Sequence, residues 1–382
     1  MKPRSAGQLY FGKPHSARGD NVFTAKDELG LEKGLAAIMS KYDRRRDTSA
    51  VRFALESPSR DWRWEWSSPG SIEQYFIAST TKLYVATVIM QLRHQGLLDL
   101  DAPAGKYLDS SVMQGIHIVK GVDSGDRITI RELLGHTSGI ADYFEQRQAD
   151  GSTQIGAALR KDHGWTFHDV LRITKENLSP RFAPSAPGKA FYSDTNYQLL
   201  GAVIEVLTGG SWEDALRQRI VLPLGLGRTY PFSKETVDRY DSVATMLYGT
   251  ERVVMPKAMA SVRADGGMVS SALDGIVFLK SFMSGRLFPV EYLDEMRDRW
   301  NPVFPPLEYG LGLMRFDLPS FYTLFRKVPA MFGHSGASGT VLFYAPDLDL
   351  YVSGTVNQLK KRSLSYNLMT RLVMNCQSVW QG

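Results

Sequence analysis

Residues 76–92, FIASTTKLYVATVIMQL, read as the start of an apolar helix with a lysine inside it. Val85, Val88, Ile89 and Leu92 recur on one face, and Lys82 lies one turn in, three residues after Ser79. A buried ammonium is costly unless it is paired or used. Whatever this chain folds into must therefore bring a partner to Lys82. At i and i+3 the two side chains share a face. A serine at a helix N-terminus also sits where backbone N–H groups and the dipole favour developing negative charge. The pattern points to Ser79 as a nucleophile whose proton Lys82 helps to remove. Taken alone, it equally fits an N-cap serine beside a snorkelling lysine.

Several function classes are excluded early. At 382 residues the chain can bury a large core, as one big domain or two ordinary ones. With 43% hydrophobic and 22% charged residues it reads as globular rather than disordered or membrane-embedded. A net charge of +5 is too small for a nucleic-acid footprint. The runs Arg44-Arg45-Arg46 and Lys360-Lys361-Arg362 read as solvated surface, and no nucleic-acid partner is expected. One cysteine, Cys376, offers neither a disulfide nor a cysteine metal site and reads as a small core residue. The seven histidines show no HExxH spacing, so no metal or other cofactor is expected. No stretch approaches the roughly 18 apolar residues of a membrane span. The N-terminus lacks the apolar core of a secretory signal, so a cytoplasmic location is expected.

Residues 1–28 read as a polar extension, followed by a helical pattern through Leu31, Leu35, Ile38 and Met39. VRFALES and WRWEWSS flank PSRD as a β-hairpin, with Trp62, Trp64 and Trp66 on one face as sheet cover. Gly96 caps the Ser79 helix. Residues 97–250 are mostly helical in pattern. TVLFYAPD (340–347) and LDLYVSGTVN (348–357) then read as strands before a final helix. A sheet region (29–96 and 251–382) built from both ends, with a helical insertion between, is the expected architecture.

Three stretches carry the chemistry: Ser79-Thr80-Thr81-Lys82, Tyr192-Ser193-Asp194 and His334-Ser335-Gly336. With FIASTTKLYVATVIMQLRHQGLLDLDAPAGKYL, ITIRELLGHTSGI, FYSDTNYQLLGAVIEVLTG, YGLGL and FGHSGASGTVLFYAPD, this ordered set resembles a family of serine hydrolases. They are those related to class C β-lactamases, including D-alanyl-D-alanine carboxypeptidases, D-aminopeptidases and esterases. The resemblance spans roughly residues 30–380. It implies an α/β, penicillin-recognising serine hydrolase fold, an antiparallel sheet flanked by helices plus a mostly helical region. It also implies Ser79 as nucleophile and Tyr192 as general base working with Lys82. The backbone N–H groups of Ser79 and Ala337 would then form the oxyanion hole, and Asp194, His334, Ser335 and Gly336 would contact substrate. Gly336 would let a substrate lie close along the strand edge. Lowering a tyrosine by about three pKa units, the task left to Lys82, takes roughly 4 kcal/mol.

Two departures narrow the substrate. Lactamases of this group carry Tyr-x-Asn, whose amide donates to the substrate; here Asp194 can only accept when ionised. It can pair with Lys82, favour a substrate bearing an amine or hydroxyl, or cap the following helix. His334 stands where lactamases carry a lysine, so its pull on a substrate carboxylate is weaker and pH-dependent. His136 in GHTSGI reads as a loop-structuring residue, and Gly266-Gly267 as a tight turn. Arg263 and Asp265 beside that turn read as either surface or cleft charges. The leading expectation is an acyl-enzyme hydrolase of small esters or amides, of esterase or D-amino-acid amidase/peptidase type. A β-lactamase or D-alanyl-D-alanine carboxypeptidase, and a non-catalytic binding protein on the same scaffold, are the alternatives. The expected partner is a small-molecule ester, amide or β-lactam.

Overall fold

The computed structural model describes residues 25–323 and 326–381. Most of the expected N-terminal extension lies outside the described residues, and residues 25–28 already belong to helix α1 (Ala25–Asp43). Its buried stripe, Leu31, Leu35, Met39 and Tyr42, recurs at three- and four-residue intervals. The hairpin forms where the Pro/Ser/Asp turn indicated: β1 (Arg52–Ser57) pairs antiparallel with β2 (Trp62–Ser67). Trp62 and Trp64 are buried while Arg63 and Glu65 are exposed. Trp62 meets Trp380 edge-on at 5.4 Å, so the tryptophan face is covered by the last helix.

Strand β3 (Tyr75–Phe76) leads to helix α2 (Thr81–His94), which carries Lys82. Gly96 closes α2 at φ +72, and the Leu97 N–H returns to the Leu92 carbonyl at 3.0 Å. Helix α3 (Asp194–Thr208) packs beside α2 through Leu199, Leu200 and Val203. Strands β4 (Tyr230–Pro231) and β5 (Met268–Ser270) then join β3 in a small antiparallel sheet of order β3-β5-β4.

After α4 (Ala272–Met283) the chain makes a meander: β6 (Asn301–Phe304), β7 (Leu307–Tyr309), β8 (Met314–Phe316), β9 (Met331–Gly336), β10 (Thr340–Ala345) and β11 (Leu350–Thr355). Helix α5 (Ser363–Gln381) ends the fold. The large sheet has eight strands in the order β6-β7-β8-β9-β10-β11-β1-β2. Residues from both ends thus build it, around a largely helical middle. β11 is buried along its whole length because both its faces are covered. Helices α1 and α5 lie on one side and α4 on the other. A Cβ on Gly275 of α4 would stand 2.4 Å from Ser353 Oγ, a measure of how closely that helix lies on the sheet. No helix among the described residues is long and apolar enough to cross a membrane.

Leu35 is fully buried between α1 and the sheet. Leu35→Ala should cost about 2–5 kcal/mol of stability, read as a lower urea midpoint with an unchanged slope. A midpoint within error of the parent would show that α1 is not part of the cooperative core.

Candidate active site

Ser79 sits in a short 3-10 turn (Ala78–Thr80) that runs into α2, two residues before the α-helix proper. Ala78 takes φ +45, a conformation L residues rarely adopt, so the turn must be held from outside. The Ile77 N–H donates to the Met268 carbonyl at 3.0 Å, and the Met268 N–H donates to Thr81 Oγ1 at 3.2 Å. Ser338 Oγ donates to the Phe76 carbonyl at 2.7 Å, tying the β9–β10 turn to the same segment. A Cβ on Gly336 would lie 2.3 Å from the Ile77 carbonyl oxygen, and one on Gly266 would lie 3.3 Å from Ala78 C. Close packing against the serine turn is therefore a reason for glycine at 336, beyond the passing substrate the sequence suggested. The strand edge is also present: β8 pairs only with Met331, Phe332 and Gly333, so β9 runs on past it through Ser335 and Gly336.

Lys82 is fully buried and its ammonium is used in three directions. Nζ donates to Asp194 Oδ1 at 2.6 Å, to the Asp265 carbonyl at 2.6 Å and to Ser79 Oγ at 3.2 Å. Burial alone would strip its proton. Asp194, in contact with Nζ, leads the interactions that override burial and hold Lys82 well above the ordinary lysine range. Asp194 is the first residue of α3, and the N-cap position belongs to Ser193. The capping role is thus not what the structure shows; the carboxylate instead meets Lys82.

The Tyr192 ring lies 4.9 Å from Lys82 Nζ, and the hydroxyl has no hydrogen-bond partner among the described residues. Burial pushes the phenol above its ordinary value, and the opposing pull of Lys82 does not reverse that shift. The sequence led us to expect the opposite sign. The difference is burial first, with the Asp194 charge adding to it against the pull of Lys82. His136, at φ +57, accepts the Ser193 N–H on Nδ1 at 3.2 Å and stacks 4.3 Å from Tyr192. Burial and the nearby Lys82 push its pKa well below the ordinary value, in keeping with a loop-structuring role.

His334 differs most from expectation. It is fully buried and does not line the cavity beside Ser79. Its Nε2 meets Tyr309 Oη at 3.0 Å and its Nδ1 meets the Ser335 carbonyl at 2.7 Å. Burial, then Lys82, push its pKa down to about 3, so the imidazole is neutral and holds no substrate carboxylate. Tyr309 passes the chain on to Tyr197 Oη at 3.0 Å. Ser335 does line the cavity, with Oγ hydrogen-bonded to Tyr366 Oη. Asp265 proves to be a buried group, accepting from Tyr143 Oη at 2.9 Å and Gln198 Nε2 at 2.8 Å, whereas Arg263 pairs with Glu205 at 2.5 Å.

Sequence reasoning missed two contributors. Asp142 accepts the Asp194 N–H at 2.9 Å and the Glu145 N–H at 2.7 Å. Burial, then the Asp194 charge, push its carboxyl up to about 7. Its only signal was its place three residues after GHTSG. Arg362, read as solvated surface, lines the cavity and pairs with Glu145. Ser79, Tyr192, Asp194, Ser335, Gly336 and Ala337 all border the same cavity, of about 1550 Å³. A hydroxyl, an ammonium and a phenol converge beneath it, which is the set that acyl transfer requires.

The family profile described as Beta-lactamase matches residues 71–372. Penicillin-binding protein 4 of Amycolatopsis lactamdurans is 33% identical over 159 residues, covering 42% of this chain and 36% of that protein. A putative D-alanyl-D-alanine carboxypeptidase of Escherichia coli (strain K12) is 26% identical over 306 residues, covering 71% and 66%. Among solved structures, a D-stereospecific amidohydrolase from Streptomyces sp. superposes with a TM-score of 0.67 at 26% identity, covering 87% of this chain and 94% of that one. The chain spans about a third to two thirds of the length of the curated relatives it matches.

Asp142 supplies a test of the buried charges. Its folded pKa of about 7 lies above the ordinary carboxyl value, so the folded state holds the extra proton. Its contribution is full below pH ~4 and is lost as pH rises through 7. In urea unfolding from pH 4 to 8, Asp142→Asn should flatten the fall in stability. Parallel curves for parent and variant would contradict the assignment.

Proposed function

The chain belongs to the Beta-lactamase family, and from that premise we propose that it is a serine hydrolase acting through an acyl-enzyme on small esters or amides. The observation that carries the reading is Lys82 Nζ, 3.2 Å from Ser79 Oγ and 2.6 Å from Asp194 Oδ1, beside a cavity that Ser79 and Tyr192 border. Ser79 Oγ attacks the carbonyl carbon. Its proton moves to Lys82 as Lys82 passes one to Asp194 along their short hydrogen bond. Burial raises the Asp194 carboxyl, with Lys82 pulling the other way, and so eases that transfer. The backbone N–H groups of Ser79 and Ala337 receive the oxyanion. As the C–O or C–N bond breaks, Tyr192 gives its proton to the departing oxygen or nitrogen, and Asp194 restores it through Lys82. Water repeats the sequence to release the acid.

The acyl side of the site offers a carboxylate acceptor at Asp194, which suits a substrate carrying an amine or hydroxyl. The likeness to the Streptomyces D-stereospecific amidohydrolase supports the same direction. A β-lactamase is less well supported, because the neutral, enclosed His334 supplies no positive charge for the lactam carboxylate.

The experiment is turnover of a short-chain p-nitrophenyl ester, a D-amino-acid p-nitroanilide and a chromogenic cephalosporin by the parent and Ser79→Ala. Ester or anilide turnover should fall at least a thousandfold in the variant, with little cephalosporin opening by either protein. Undiminished turnover in Ser79→Ala would overturn the mechanism. Rapid cephalosporin opening by the parent would reassign the substrate.

A further inference from the structure

A volume of about 1550 Å³ exceeds what a short ester or single amino-acid amide fills, since pockets for small ligands run about 300–1,000 Å³. The lining extends from Ser79 in two directions, toward Ile155, Leu159 and Met259 and toward the sheet under helices α1 and α5. Past Tyr192 the cavity continues between the sheet and helices α1 and α5, where Ile38, Phe316, Leu318, Tyr366 and Met374 line it. The polar Asn367 and Asn375 and the exposed Arg371 of α5 stand at their side. Ile38, Leu318, Tyr366 and Met374 are only partly buried against the core beneath. Phe316 and Tyr366 stack with centroids 5.7 Å apart and planes 3° from parallel, forming a flat apolar wall.

The rim has the same character. Tyr248, Phe304, Phe321 and Tyr322 are the exposed aromatic side chains among the described residues; Phe304 and Tyr322 line the cavity from the side of the sheet, and Tyr248 lines it elsewhere, beside Lys360. Apolar surface gathered at the mouth of a cavity marks a binding site more often than chance exposure. We propose that this lobe is a leaving-group subsite for substrates whose alcohol or amine carries a long apolar arm, of roughly ten carbons. The inference rests on the hydrolase reading above and deepens it.

The side follows from the chemistry. The group that protonates the leaving atom must touch it, so the leaving group lies toward Tyr192. The Tyr192 ring is 5.4 Å from Phe304 and packs on the same core cluster that underlies the lobe. The opposite end of the cavity is lined by Phe144, Ile155, Leu159 and Met259 but also carries Asp194 and the Glu145–Arg362 pair, where a long apolar chain would strand charges from water. In the cleavage step the bond from the carbonyl carbon to the arm's oxygen or nitrogen breaks. The proton of Tyr192 goes to that atom, and a long-chain alcohol or amine departs through the aromatic rim.

Two ester series test this. Acetate esters of ethanol, butanol, octanol and decanol lengthen the leaving group, and p-nitrophenyl esters from acetate to decanoate lengthen the acyl group. Along the alcohol series kcat/KM should rise about threefold per methylene until the lobe is filled, and the acyl series should change little. Met374→Trp, or Ile38→Phe should the first fail to fold, should abolish the rise and leave ethyl acetate turnover unchanged. A flat alcohol series, or a rise confined to the acyl series, would overturn the proposal. Calorimetric titration of decanol into Ser79→Ala, with and without Met374→Trp, separates the two claims. Decanol binding that Met374→Trp removes, in a protein that turns over no ester, would uphold the lobe and sink the hydrolase reading. Ester turnover by the parent, with no decanol bound by Ser79→Ala, would sink the lobe alone.

Discussion

A lysine ammonium and an aspartate carboxylate in contact beneath the surface, Lys82 and Asp194, set the terms for everything around them. Removing two such ions from water costs several kcal/mol each, and their attraction repays this only when the remaining hydrogen bonds are filled. Here they are. The Asp265 carbonyl and Ser79 Oγ take the other lysine protons, and the Asp194 backbone N–H goes to Asp142. Meeting those demands requires α2 against α3, the Asp265 turn against both, and the loop carrying Asp142 across the end of α3.

Burial first, and Lys82 second, sets the charge state of the neighbouring histidines. His136 and His334 lie within reach of Lys82 in a buried setting, and both are pushed to the neutral form. Neutral imidazoles can then serve as hydrogen-bond fixtures, His136 for the Ser193 turn and His334 for the Tyr309–Tyr197 chain. Tyr192, beside a lysine already matched by a carboxylate, keeps its proton and is suited to donate it. In the proposed mechanism one ion pair thus separates the tasks: acceptance of the serine proton at the Lys82–Asp194 pair, and donation to the leaving atom at Tyr192.

Much of this was legible in the residues themselves. The Ser79/Lys82 spacing demanded a partner for Lys82, and the structure supplies one that had been considered, Asp194. The tryptophan alternation announced the first hairpin, and the apolar runs at 340–357 announced β10 and β11. The strands β6 to β8 were not legible. They are three or four residues long and broken by Pro305, Pro306, Gly310 and Gly312, which read locally as loop. Arg362 and Asp142 were missed for another reason: what gives them a role is contact with Glu145 and Asp194, a long-range juxtaposition that periodicity does not encode. His334 was read by its intrinsic pKa, which holds for a solvated ring and fails for one enclosed by Tyr309 and the Ser335 carbonyl.

The central claim is that Asp194 takes part in moving the serine proton and does more than neutralise Lys82. The most direct test is the single-turnover acylation rate of Ser79 in Asp194→Asn against the parent, from pH 5 to 10 with a p-nitrophenyl ester. Loss of the proton store predicts acylation slowed by about a hundredfold or more across the range, with Ser79 still labelled stoichiometrically. Acylation as fast as the parent or faster, with its pH limb moved down because Lys82 has lost its neutralising charge, would contradict the account.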